Sequence, residues 1–265
     1  LYEENRIFTH GAFLFMMRRP LDMLKKIIIL PFEDFFSGLD SALTTVSAVN
    51  IGAIFVLFAL TWWVYVPIHE LAHALGCIIG GGTVSRLEIS PLYGGGMLES
   101  IFPFVYSGSD YAGQLTGFDT MGNDATYMLT VFLPFLLTIL LGVPLLRSAS
   151  GSSSLAASVK LGIALPIAFA PFISFSGDYY EMGSIVVSRI AELFSVAADS
   201  TAWRSDDVFK LVKELFFSGK LYSAADVLGV ASSFVLGVVF IYATYLLGVL
   251  WSNALGIGRK KSPAS

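Results

Sequence analysis

Val66-Pro67-Ile68-His69-Glu70-Leu71-Ala72-His73-Ala74-Leu75 sets two imidazoles and a carboxylate inside an apolar run that extends from Ile51 to Ile79. On a helix, residues four apart share a face, so His69 and His73 can offer two nitrogens to one metal ion, with Glu70 beside them. That spacing is the His-Glu-x-x-His arrangement of zinc hydrolases. The run sets the surroundings of the motif. Wholly helical, it reaches about 43 Å at about 1.5 Å per residue, against a hydrocarbon thickness of about 30 Å. Ionisable side chains at membrane depth cost about 2.5 to 3.5 kcal/mol each on insertion scales, so a cluster of them calls for a common partner, and a metal ion is one.

The excess length predicts that the helix tilts or that its histidine-bearing part lies away from the midplane. Trp62, Trp63 and Tyr65 suit the interfacial level. Pro67 removes one backbone donor and leaves the Trp63 carbonyl without its helical partner, which predicts an opening or kink where water can approach.

The rest of the chain has the same character. Of 265 residues, 55% are hydrophobic and only 14% charged, with a mean hydropathy of +0.73. These values predict a multi-pass integral membrane protein held in a lipid bilayer, mainly α, forming one domain over residues 1–265. The expected architecture is about four transmembrane helices with interfacial helices and a short β-hairpin-like element beside the motif. A net charge of −4 and a pI near 5.3 give no nucleic-acid footprint. The single cysteine, Cys77, cannot form an internal disulfide and reads as a small packing residue. The chain opens at Leu1 without the basic, apolar, small-residue order of a signal peptide, which leaves room for sequence upstream. Nothing in the composition sets an oligomeric state.

Residues 1–50 mix Arg18, Arg19, Lys25 and Lys26 closely with hydrophobes and read as an interfacial segment along the headgroups. Residues 51–183 form the core that carries the motif. Within them Gly80, Gly81 and Gly82 break the first helix, and Thr83 to Ile89 alternates, with Leu87 and Ile89 on one side and Arg86 and Glu88 on the other. Together with the second triplet, Gly94, Gly95 and Gly96, this predicts a hairpin or strand pair beside the motif helix. Phe102 to Phe118 reads as an interfacial lid. Tyr127 to Leu146 and Ala156 to Ser176 are the second and third spans. In residues 184–220, Ile185 to Val196 reads as an amphipathic surface helix with Val186, Ile190, Leu193 and Phe194 inward and Arg189 and Glu192 outward. A second such helix starts from an N-cap at Ser205 and carries Val208, Leu211, Val212, Leu215 and Phe216 as its apolar stripe. Residues 221–265 hold the last span, Leu221 to Trp251, and a basic tail at Arg259, Lys260 and Lys261. The loops on the terminal side carry more Lys and Arg, which favours cytoplasmic termini.

Two histidines do not complete a catalytic zinc site, which usually has three protein ligands and an open position. His10, the remaining histidine, lies outside the core, so a carboxylate is expected. The first and third spans run in the same direction, so their C-terminal ends meet at one face. This selects Asp178 as third ligand, with Glu181, one turn later, as its competitor. Asp178 is favoured because it is closer to the span and to Pro171 and Gly177, which can bend the chain toward the metal.

On these residues the chain resembles the site-2 protease family of intramembrane zinc metalloproteases. The resemblance rests on His69-Glu70-Leu71-Ala72-His73 in a span, Pro91-Leu92-Tyr93-Gly94-Gly95-Gly96 after it, and an acidic residue at the end of a later span. It covers about Ile51 to Gly183. It implies one catalytic zinc ion (Zn2+) held by His69, His73 and Asp178, Glu70 as general base, and a transmembrane protein segment as substrate. Leu87 and Ile89 with Gly94, Gly95 and Gly96 then become the strand edge against which an unwound peptide would pair. The chain departs from the family in three ways. Asp178 follows a glycine instead of preceding one, no Asn-x-x-Pro pattern lies upstream, and no inserted peptide-binding module is visible. Two other readings stay open. One is a membrane zinc protease of the prenyl-protein-processing type, which would need Glu181 as ligand. The other is a non-catalytic metal-binding scaffold or transporter, since intramembrane charge also marks ion pathways.

Overall fold

The computed structural model describes residues 4–109, 111–194, 202–217 and 223–257, with side chains from residue 22 onward except that of residue 216. The basic tail and the His10 side chain fall outside this description. The described residues are mainly helical, with one small sheet among them.

Helix α1 (Glu4–Leu43) turns into α2 (Ala48–Ile79) at a corner tied by two side chains. The Ser47 hydroxyl caps α2 by accepting from Asn50 N, and Asn50 Nδ2 donates to the Ala42 and Thr45 carbonyls. From residue 22 on, the segment expected along the membrane surface packs on the bundle through Leu30, Phe35 and Leu39. Helix α2 runs unbroken through Pro67 for 32 residues. A proline forfeits one hydrogen bond, and a long helix held by its neighbours can lose one without ending.

After Gly80 the chain forms β1 (Thr83–Ile89), a short 3-10 turn at Pro91–Tyr93, α3 (Gly95–Glu99), β2 (Val105–Ser107) and β3 (Gly113–Asp119). The strand order is β2-β1-β3, with β1 parallel to β2 and antiparallel to β3. The expected hairpin is therefore a three-stranded sheet, and the expected lid supplies two of its strands. Gly94 to Gly96 lie in no strand. Ser90 caps the Pro91–Tyr93 turn, and Gly94, at φ 80°, carries the chain from that turn into α3, a conformation that costs glycine little. Leu87 and Ile89 are fully buried and pack with Ala74 of α2, Leu98 and Val105.

The second span joins α4 (Asp124–Phe132) through a 3-10 turn at Leu133–Phe135 and a π turn at Thr138–Gly142 to α5 (Val143–Ala149). Pro134 and Pro144 sit where the irregular turns dispense with their missing donors. The third is broken. Helix α6 (Ser154–Ala168) and the α7 segment (Ala170–Ile173, continued as a 3-10 turn to Ser176) meet at a 44° bend. Then come α8 (Asp178–Phe194), α9 (Val208–Phe217) and α10 (Ala224–Ala254). Among the described residues three helical stretches, Ala48–Ile79, Asp124–Ala149 and Ala224–Ala254, are long and apolar enough to cross a membrane, and the bent pair makes a fourth if it counts as one span.

Helix α8 corrects the sequence reading. It begins at Asp178, seven residues before the expected Ile185, and packs along α10. Its buried residues are Tyr179, Tyr180, Met182, Gly183, Ser184, Ile185, Ser188 and Ala191, while Ile190, Leu193 and Phe194, expected inward, are exposed at 47%, 82% and 74%. Two glycines let the backbones of α8 and α10 touch: a Cβ on Gly183 would strike the Ser233 carbonyl of α10, and one on Gly237 the Tyr179 carbonyl. Arg189 and Glu192 do point outward, paired with each other, and Arg189 also pairs with Asp124. Helix α9 buries Val208 and Leu211 as expected, and the capping oxygen is that of Asp207, not Ser205.

Candidate metal centre

The centre is built on the contact between α2 and α4. Gly76 and Gly80 open a groove along α2: a Cβ on Gly76 would meet the Leu129 carbonyl, and one on Gly80 the Thr126 side chain. Thr126 Oγ1 fills the groove's end by donating to the Gly80 carbonyl at 2.7 Å. This close approach brings the Thr130 carbonyl to 2.9 Å from His73 Nδ1. A carbonyl only accepts, so Nδ1 carries the proton and Nε2 of the neutral ring carries the lone pair. His69 Nδ1 is hydrogen-bonded to the Tyr65 hydroxyl at 2.9 Å, one turn earlier on the same helix. With Nδ1–H donating to that oxygen, His69 adopts the same tautomer as His73.

The two Nε2 atoms lie 3.1 Å apart. Asp178, at the start of α8, brings its oxygens to 3.5 Å from His69 Nε2 and 3.6 Å from His73 Nε2. One ligand atom from each of the three falls within 4.8 Å of the others. Both histidines are buried, the Phe135 ring stands edge-on to His69, and Ser174 hydrogen-bonds the Asp178 carboxyl. Two imidazole lone pairs and a carboxylate facing one another, with both Nδ1 atoms held by other groups, form a donor set that could hold a metal ion.

Glu70 lies beside this group against the sheet. Gly113, the first residue of β3, rests on it so closely that a Cβ would collide with Glu70 Cγ. A cleft of 530 Å³ is lined by the three ligands and Glu70, by Gly113, Gln114 and Thr116 of β3, and by the exposed residues Tyr111, Asp206 and Lys210 at its mouth. Gln114 Nε2 donates to Asp206 Oδ2 across the mouth, and Lys210 pairs with Asp206.

Of the residues expected at the site, His69, His73 and Asp178 converge, with Glu70 at their side. Glu181 lines the cleft but does not join the ligands. It accepts a hydrogen bond from the Tyr127 hydroxyl, and burial pushes its carboxyl up to about 8 against the pull of that bond. The expected pairing edge at Leu87 and Ile89 does not exist, because β1 is the central strand and both its sides are taken. Their side chains are buried, and Gly94, Gly95 and Gly96 sit in the turn and α3. The strand with an open side along the cleft is β3. Cys77 packs against the Thr83 and Asp119 carbonyls, apart from the ligands. Sequence reasoning missed Tyr65, Thr130 and Gly113. Tyr65 was within its reach, being one turn before His69 on the same face; Thr130 and Gly113 act through contacts that no local pattern announces. No protein-family model, curated protein or solved structure matches the chain.

Proposed function

We propose that this chain is an intramembrane zinc metallopeptidase of the site-2 protease type, which hydrolyses peptide bonds in or near transmembrane segments of other proteins. The observation that carries the reading is the convergence of His69, His73 and Asp178 beside Glu70, on a helix long and apolar enough to cross a membrane. His69, His73 and Asp178 would hold the ion. When bound, zinc supplies Lewis acidity, polarising a carbonyl and making water a better nucleophile near neutral pH.

The chain's own groups do the rest. A Glu70 carboxylate oxygen takes a proton from the attacking water and gives it to the leaving nitrogen. Tyr65 and the Thr130 carbonyl keep the imidazoles turned so that Nε2 faces inward. A helical substrate hides its amides, so it must unwind before cleavage, and the open edge of β3 offers backbone hydrogen bonds to the extended segment that results. Gly113 brings the start of β3 against Glu70.

Glu70→Gln is the test. Purified into lipid vesicles with a labelled single-span reporter, the variant should keep its zinc by elemental analysis and lose cleavage by mass spectrometry. Cleavage at the unsubstituted rate would overturn the peptidase reading and leave a metal-binding scaffold or carrier.

A further inference from the structure

The main cleft is lined on one side by β3 and on the other by α4 and α8, which supply Tyr127, Thr130, Val131, Asp178 and Glu181. An extended segment paired with the open edge of β3 turns half of its amide groups toward that strand and half away from it. Those turned toward α4 and α8 have left water, and each one left without a partner costs free energy. The two helices spend their backbone groups on themselves, so the partners must be side chains. Most of these are engaged. Thr130 donates its hydroxyl to the Thr126 carbonyl at 2.8 Å and holds His73 with its own carbonyl. Asp178 faces the two histidines, and Val131 is apolar. Glu181 and Tyr127 remain.

These two act together. The Tyr127 hydroxyl donates to Glu181 Oε1, and among the described residues the other carboxyl oxygen, Oε2, makes no hydrogen bond. Strand β3 touches Glu70 at Gly113 and Tyr127 at Phe118, where the two rings lie 5.6 Å apart. A segment lying along β3 therefore runs from Glu70 to this pair. Burial keeps the Glu181 carboxyl protonated up to about pH 8; the hydrogen bond from Tyr127 pulls against it, while Asp178 on the same helix and Asp206 ahead of α9 push with it. Lys210, at the mouth, is paired with Asp206, and the part of α10 packed on α8 presents Ser233 and Gly237. With Oε1 accepting from Tyr127, the carboxyl proton sits on Oε2 and is a donor that this wall has to spare.

We propose that Glu181, held by Tyr127, binds the substrate by donating a hydrogen bond from Oε2 to a backbone carbonyl oxygen of the extended segment, on the Phe118 side of the bond cleaved. This inference rests on the peptidase reading. A contact to the backbone is indifferent to side-chain sequence, and one that needs the carboxyl proton is lost in alkali.

The labelled single-span reporter tests this by its binding to the zinc-loaded full chain in detergent micelles, read by fluorescence anisotropy. The Glu70→Gln background leaves the reporter uncut and takes the titration of Glu70 out of the profile. At neutral pH, adding Glu181→Leu should weaken binding roughly 5- to 50-fold with zinc content unchanged. With Glu181 in place, affinity should fall as pH rises through about 8. Glu181→Gln keeps an N–H donor and should abolish that fall, which decides the matter if Glu181→Leu fails to fold. Unchanged affinity or loss of zinc in Glu181→Leu, a flat profile with Glu181 in place, or a fall that persists in Glu181→Gln overturns the donor role. The peptidase reading then still stands on cleavage by the unsubstituted chain. If that chain does not cut the reporter, the reading falls and the donor role with it.

Discussion

Two clusters of buried polar groups interrupt the apolar helices, and they are built on opposite principles. Around Asp34 the chain answers charge with its own charge. Arg147 Nε lies 3.7 Å from Asp34 Oδ2, the Tyr245 hydroxyl donates to the same oxygen at 3.0 Å, and an Arg147 terminal nitrogen donates to the Val249 carbonyl and Asn253 Oδ1. That cluster joins α1, α5 and α10. Around His69 the converging atoms are all electron-pair donors, and the cluster lies at the head of a large cleft. A closed, self-neutralised cluster fixes helices, whereas an open one made only of donors is balanced by something from outside. Buried polarity alone does not mark a site; the sign of the converging atoms and the way out to solvent do.

The contrast can be broken most directly at the third ligand. Asp178→Ala should abolish stoichiometric zinc binding, while Glu181→Ala should retain it; elemental analysis of the two purified variants decides. Full zinc in both would remove the reason for treating the His69 cluster as a metal centre, and loss only in Glu181→Ala would favour the prenyl-processing type. Next in size is Arg147→Ala. It strands a buried carboxylate, so denaturant unfolding in micelles should show a loss of about 3–5 kcal/mol with zinc content unchanged. Equal damage to zinc binding would mean that the two clusters are not independent. Tyr65→Phe sharpens the comparison from the metal side, since loss of the His69 Nδ1 partner should weaken zinc affinity about 10- to 100-fold in a competition titration against a chromogenic chelator. The smallest effect concerns the cleft wall. The Glu181 pKa is raised from 4.5 to about 8 in the folded chain, so the native state binds the extra proton. Its contribution to stability is whole below about pH 4.5 and is lost as pH rises through about 8. Glu181→Gln should flatten that part of the unfolding profile, and an unchanged slope would refute the assignment.

How much of this was legible depended on whether local spacing or distant contact carried the information. His69, Glu70 and His73 could be read because helical periodicity alone puts them together. Asp178 could be read because spans of known length force parallel ends to one face, a global constraint expressed in simple counting. The face of α8 was misread for a physical reason. The helix starts about two turns earlier than its amphipathic pattern suggests, so Tyr179, Tyr180 and Met182 supply the buried bulk and Gly183 the close contact with α10, while Ile190, Leu193 and Phe194 stay exposed. The pairing edge was misplaced because strand order depends on β2 and β3 returning to either side of β1, and nothing in Thr83 to Ile89 itself encodes its neighbours. Tyr65 is the instructive omission, since its position one turn before His69 needed no structure to see.

The 44° bend that delivers Asp178 to the histidines also sets a clock. At about 5–20 residues per second, a ribosome completes the His69–His73 turn several seconds before it makes the carboxylate that joins them. Until the residues after the bend have been made, the emerging chain holds two imidazoles and a glutamate without the carboxylate of Asp178. For the peptidase proposed above, competence would then arrive only when the later half of the molecule closes on the first.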